Sequence, residues 1–141
     1  MEQSITIDIA AAPERVWDVL SDVERWPEWT PTVTSVKRLD DGPFRVGSRA
    51  RVDQPRLRQT VYVVTQLAAG RSFTWVARGP GLVTTARHEL EPAAGGGTRV
   101  RLSVTQAGWL GSLVGRLYRR LTDRYLTNEA NGLRAASEAA A

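Results

Sequence analysis

No cysteine occurs in this 141-residue chain, so a disulfide framework, a thiolate metal centre and a cysteine nucleophile are all excluded at the outset. Histidine is nearly as scarce: His88 stands alone. A zinc site built on two or three imidazoles is out of reach of a single chain, and a Ser-His-Asp triad would have only His88 to recruit. Neither metal nor cofactor is expected. Lysine is almost missing too. The nineteen basic residues are Lys37 and otherwise only arginine, set against fifteen acids for a formal net charge of +4. The arginines run from Arg15 to Arg134 interleaved with acids, so no block of like charge resembles a nucleic-acid arm or a polybasic anchor, and no nucleic-acid partner is expected. Long apolar runs are also absent, none approaching the ~18–20 residues of a membrane span, and no stable membrane insertion is expected. The chain starts with Glu2 in place of a basic segment before an apolar core, unlike a secretory leader. A cytoplasmic location is the expectation.

What is present suits one globular domain over residues 1–141, a length within the usual ~100–200 residues. Ile5, Ile7 and Ile9 alternate with polar residues, which predicts a strand over 4–9 with one apolar face. Pro13 and Glu14 suit a first helical turn, and Val16, Trp17 and Leu20 give a helix over 13–21 its apolar side. Pro27 and Pro31 limit Trp26-Pro27-Glu28-Trp29 to a single turn. From 33 to 107, β-branched and aromatic residues alternate with polar ones. Six strands are expected there, near 33–39, 47–53, 58–68, 72–78, 82–91 and 98–107. Beyond Gly108 the spacing becomes helical, with Leu110, Leu113, Val114, Leu117, Tyr118, Leu121 and Tyr125 in one stripe. A single helix from 110 to about 136 would be ~40 Å long, and its stripe is the partner that the sheet requires. Ala135 to Ala141 contain no large side chain and are expected to fray.

The order strand, two short helices, six strands and a long helix resembles the polyketide cyclase/dehydrase branch of the START-like superfamily. The resemblance is carried by Ile9-Ala-Ala-Ala-Pro-Glu-Arg-Val-Trp-Asp-Val-Leu-Ser-Asp-Val-Glu-Arg-Trp-Pro-Glu-Trp29, Gly47-Ser48-Arg49, the Gly96-to-Val100 hairpin and the closing helix. It implies an α+β helix-grip fold: a seven-stranded curved antiparallel sheet wrapped around the C-terminal helix, with an internal apolar cavity between them. It also implies binding of a hydrophobic small molecule, polyketide-, isoprenoid- or lipid-like. Two alternatives stand beside this: a cofactor-independent aromatase/cyclase carrying out aldol cyclisation and dehydration, and a protein-binding module using the basic face of the last helix. The chain is expected to be a monomer or a homodimer.

Candidate lining residues are Trp29, Phe73, Trp75, Leu90, Leu102 and Leu117, each of which serves a pocket or an ordinary core equally well. His88 shares strand parity with Leu90, which points it inward and makes it the candidate acid–base group, with Tyr62 or an arginine as further candidates to assist enolisation. Gln54 shares parity with Ala50 and Val52 and is placed at the cavity mouth, whereas Arg49 and Arg51 have the opposite parity and face water. Gly111 and Gly115 permit close packing on the sheet. The arginine-rich amphipathic stretch 109–126 resembles a membrane-surface helix, but its apolar stripe is expected to be taken up by the strands.

Overall fold

Period-two patterning produces the first element of the computed structural model, which describes residues 1–139. In β1 (Glu2–Ile9) the isoleucines face inward and Ser4, Thr6 and Asp8 face water. Helix α1 (Pro13–Ser21) starts on its proline and buries Val16 and Leu20. A 3-10 segment follows over Val23–Glu28, longer than the single turn expected. The Trp26 indole N–H anchors it by donating to the Leu20 carbonyl at 2.9 Å.

The remaining strands are β2 (Ser35–Arg38), β3 (Arg49–Asp53), β4 (Thr60–Ala68), β5 (Ser72–Gly79), β6 (Leu82–Pro92) and β7 (Thr98–Ala107). They form a seven-stranded antiparallel sheet in the order β1-β7-β6-β5-β4-β3-β2. Short turns join consecutive strands, so only β1 travels to find its partner on the far edge. A bulge between Val64 and Gln66 interrupts the β4–β5 register and bends the sheet locally. The concave face holds the core. Ala50 and Val52 are buried on it, while Arg49 is exposed and Arg51 half-buried on the opposite parity.

The closing helix is not continuous. Helix α2 (Gly111–Leu117) and helix α3 (Arg119–Glu138) meet at Tyr118, whose φ of −103° and ψ of 14° leave the helical region. The cause lies in what each half packs against. Gly111 and Gly115 are buried; a Cβ on Gly111 would come within 2.8 Å of the Gln106 carbonyl oxygen and one on Gly115 within 2.7 Å of the Met1 sulfur, so the glycine edge of α2 rests on β7 at one end and on Met1 at the other. At about 100° per residue, positions two apart lie roughly 200° around the helix. Seating the glycine edge on β7 and Met1 therefore turns Leu113 and Leu117 outward, and both are exposed, at 53% and 70%. This corrects the expectation that the whole stripe lies on the sheet.

Helix α3 is the half that the sheet grips. Leu126, Ala130 and Leu133 enter the core, and Gly132 lets the helix press on the Trp29 carbonyl where any Cβ would overlap it. At its far end the Arg15 guanidinium donates to the Ala136 and Ser137 carbonyls, and the Ala10 N–H donates to Glu138 at 2.7 Å. Residues 135–138 are thus helical and held; the rest of the expected frayed tip, Ala140 and Ala141, lies outside the described residues. No described helix is long and apolar enough to cross a membrane.

Candidate ligand-binding site

Because α2 is drawn aside onto β7 and α3 crosses the concave face, sheet and helices diverge at one end. They leave a cleft of about 740 Å³, within the ~300–1,000 Å³ usual for small-molecule sites. Tyr62, Ala77 and Thr84 supply its sheet wall; Val114, Leu121 and Tyr125 supply its helical wall. The Tyr125 hydroxyl donates to the Pro55 carbonyl and ties α3 to the β3–β4 loop, where Gln54, Leu57 and Arg58 form the rim. A second depression of about 850 Å³ lies at the opposite end of the sheet, between the Ala10–Ala12 and Ala93–Gly97 turns. It adjoins no buried titratable group among the described residues.

The cross-strand register shows what lies beyond the cleft wall. Ala77 pairs with Thr84, Trp75 with Ala86 and Phe73 with His88. Successive inward pairs along these strands are about 7 Å apart, so His88 sits two rows deeper than the Ala77–Thr84 wall. Trp75 links the levels: its ring stacks on Tyr62 at 5.1 Å and meets His88 edge-on at 5.9 Å. Glu129 approaches from the other side. It follows Tyr125 by four residues on the same helical face, and its Oε1 is 3.9 Å from His88 Nε2.

The protonation states follow from the surroundings. His88 Nδ1 lies 3.1 Å from the Phe73 carbonyl oxygen; a carbonyl only accepts, so Nδ1 carries the proton and Nε2 offers a bare lone pair towards Glu129. Burial pushes the imidazole down to about 4 and leaves it neutral near pH 7. The same loss of water pushes the Glu129 carboxyl up to about 7, while burial together with the Glu129 charge pushes the Tyr62 phenol up to about 12. No hydrogen bond contributes to either of the latter shifts. Two polar groups elsewhere on the wall are paired within the chain: Thr84 donates to Gln106 at 2.9 Å and Gln54 to the Thr32 carbonyl at 3.3 Å. The inner end of the cleft thus offers the Tyr62 phenol as a donor, and behind it lie a carboxyl near its midpoint at neutral pH and an imidazole acceptor.

Of the residues singled out in the sequence, Gln54 lines the cleft. Phe73, Trp75, His88, Leu90 and Leu102 are buried in the core cluster behind it, around a Trp26 ring that contacts Phe73, Trp75 and His88. Trp29 packs against that core from the 3-10 side, its indole N–H buried without a partner. Leu117 faces away from the cleft for the reason given above. Tyr62 does line it. Glu129 was missed, although one signal pointed to it: extending the stripe through Leu121 and Tyr125 by four residues places a carboxylate on the sheet-facing side, between Leu126 and Leu133. No group of three or more potential metal-ligating acids or histidines occurs among the described residues.

Comparisons with known proteins agree with this architecture. A family model described as polyketide cyclase / dehydrase and lipid transport matches residues 2–138. A START superfamily protein from Mycobacterium smegmatis superposes with a TM-score of 0.75 at 20% identity, covering 97% of each chain. The protein XoxI from Bacillus cereus superposes with a TM-score of 0.76 at 16% identity, covering 96% of this chain and 94% of its own. At such identities the likeness is one of fold. An uncharacterized protein of Mycobacterium tuberculosis is 35% identical over 48 residues, which is 34% of this chain and only 29% of that relative's length.

Proposed function

Since the chain belongs to the polyketide cyclase/dehydrase and lipid-transport family, we propose that its cleft receives an apolar, ring-bearing small molecule with an oxygen function directed inward. The carrying observation is the contrast at the inner end. Tyr62 on the cleft wall and Glu129 behind it are half-buried and have no hydrogen bond acting on them, and a hydrogen bond made there contributes ~0.5–1.5 kcal/mol net. A ligand hydroxyl or carbonyl at that point supplies the partner, and its rings cover the Val114, Leu121 and Ala77 wall. This reading deepens the hydrophobic-ligand expectation by giving the ligand a polar end.

Trp75 stacks on Tyr62, so tryptophan emission reports occupancy. Titrating the protein with a naphthol and with the methylnaphthalene of matching shape should quench emission in both cases, the naphthol binding ~10-fold tighter, as one hydrogen bond to a charged or strongly polar partner provides. Tyr62→Phe combined with Glu129→Gln should reduce that preference. Silence with both probes up to their solubility would overturn the reading.

One observation favours a second reading, the cyclase. A carboxyl poised near neutrality faces a bare imidazole nitrogen at 3.9 Å, an arrangement able to deliver and recover a proton during enolisation and loss of water. On this reading Glu129→Gln lowers kcat for a poly-ketone analogue by ~100-fold with little change in KM. An unchanged kcat would remove Glu129 from that role.

A further inference from the structure

The break at Tyr118 leaves an apolar face that none of the described residues covers. Trp109, Leu113 and Leu117 are spaced four residues apart and are 81%, 53% and 70% exposed. Four residues turn a helix by about 400°, so Leu113 and Leu117 share one face of α2, directed away from its glycine edge, and Trp109 stands exposed in the turn that leads into that helix. Isolated exposed leucines need no explanation, but a contiguous tryptophan–leucine–leucine stripe marks a contact surface. Trp109 is held in place there: its ring lies so close to Gly81 that a Cβ at that position would come within 2.5 Å of it. The stripe therefore continues onto the Gly79–Gly81 turn, and Gly79 and Pro80 form part of the rim of the cleft. Across the mouth, the β3–β4 loop presents Leu57 at 38% exposure between Arg56 and Arg58.

Charge identifies the partner. Exposed Arg116 precedes Leu117 on α2, and exposed Arg119, Arg120 and Arg124 follow on the first turns of α3. The only acid between residues 92 and 128 is Asp123, and it accepts a hydrogen bond from Gln3 at 2.7 Å. A surface with an interfacial tryptophan, two leucines and a border of arginines matches an anionic bilayer, where apolar side chains enter the headgroup boundary and guanidinium groups meet phosphates. A protein partner of equal fit would need both an apolar groove and an acidic border; a bilayer presents both everywhere.

We propose that the Trp109–Leu113–Leu117 stripe and its arginine border dock this protein peripherally on anionic membranes, with the mouth of the cleft turned towards the lipid. Docking adsorbs α2 onto the surface without spanning it, and it does not depend on what the cleft binds.

The test uses the full chain with vesicles of phosphatidylcholine alone and of phosphatidylcholine mixed with phosphatidylglycerol, read by co-sedimentation and by the blue shift of tryptophan emission. The wild type should sediment with the anionic vesicles, stay largely in solution with the neutral ones, and be released by added salt. Trp109→Ala with Leu113→Ser and Leu117→Ser should weaken binding at least ~10-fold, since three apolar contacts with the bilayer are withdrawn. Circular dichroism melting should be unchanged, because none of the three side chains enters the core. A parallel variant, Arg116→Glu with Arg120→Glu, should lose the preference for phosphatidylglycerol. The proposal falls if the wild type ignores both vesicle types, or if the triple variant binds as the wild type does. It falls equally if sedimentation shows a wild-type dimer that the triple variant dissociates, since the stripe would then be covered by a second copy of the chain.

Discussion

Replacing Glu129 by glutamine removes one ionisable proton from the interior while keeping shape and hydrogen-bonding capacity, so its effect on folding should depend on pH. The Glu129 carboxyl is raised by burial from 4.5 to about 7, with its side chain only 13% exposed. A carboxyl raised in the folded state is favourable below its unfolded value, and that advantage is lost as pH rises through the folded value. Between about pH 5 and about pH 8 the wild type should lose about 2–3 kcal/mol through this group, taking 1.36 kcal/mol per pKa step. His88 works in the opposite sense. Its pKa is depressed to about 4, so its contribution is present above about 6.5 and is lost as pH falls towards 4. Glu129→Gln retains the His88 effect, so the difference between variant and wild type isolates the carboxylate. Urea unfolding of both proteins at the two pH values should show Glu129→Gln near parity or slightly less stable at the lower one. At the higher one the variant should be the more stable by about 2 kcal/mol, because no charge is then buried. A difference that stays flat across this range would mean that the carboxylate is solvated. The argument for a partner-seeking inner end would fail with it.

The other predictions concern packing. Leu133→Ala removes a fully buried side chain from α3 and should cost about 2–5 kcal/mol in a denaturant midpoint measurement. Leu117→Ser, in the stripe expected on the sheet but 70% exposed, should change stability by less than about 0.5 kcal/mol; a loss like that of Leu133→Ala would put α2 on the sheet after all. Gly132→Ala drives a methyl into the Trp29 carbonyl, a backbone atom that cannot rotate away, so calorimetry should show a lower melting temperature despite alanine's better helix propensity. His88→Phe keeps the ring stacked 4.1 Å from Phe73 but forfeits the bond to the Phe73 carbonyl. Its stability should become less dependent on pH below about 6.5, where the wild type is losing the histidine contribution.

The chain's local patterns determined most of the architecture. Alternation in Ile5-Thr6-Ile7-Asp8-Ile9 defines which face of β1 turns inward, because side chains of a strand point alternately to its two sides. The same rule separates Ala50 and Val52 from Arg49 and Arg51. Proline and glycine between the apolar runs mark where strands end, and six successive strands without an intervening α-helix, β2 to β7, have few arrangements other than an antiparallel meander, with β1 returning to its free edge. Those signals act over two to four residues and survive without knowledge of neighbours. The division of the last helix does not belong to that class. Along one continuous helix Leu126 and Leu133 would lie roughly opposite Leu113 and Leu117, and periodicity does not decide which pair meets the sheet; the first two face water because Gly111 seats α2 on β7 and Gly115 seats it on Met1, and the others are buried because Gly132 seats α3 on Trp29. Glu129 illustrates the same division: periodicity assigns it to the sheet-facing side, but only the meeting of α3 with β4 and β6 surrounds it with Tyr62 and His88. Desolvation depends on atoms brought together from across the chain, and so the chemistry of the inner end is a property of the folded molecule.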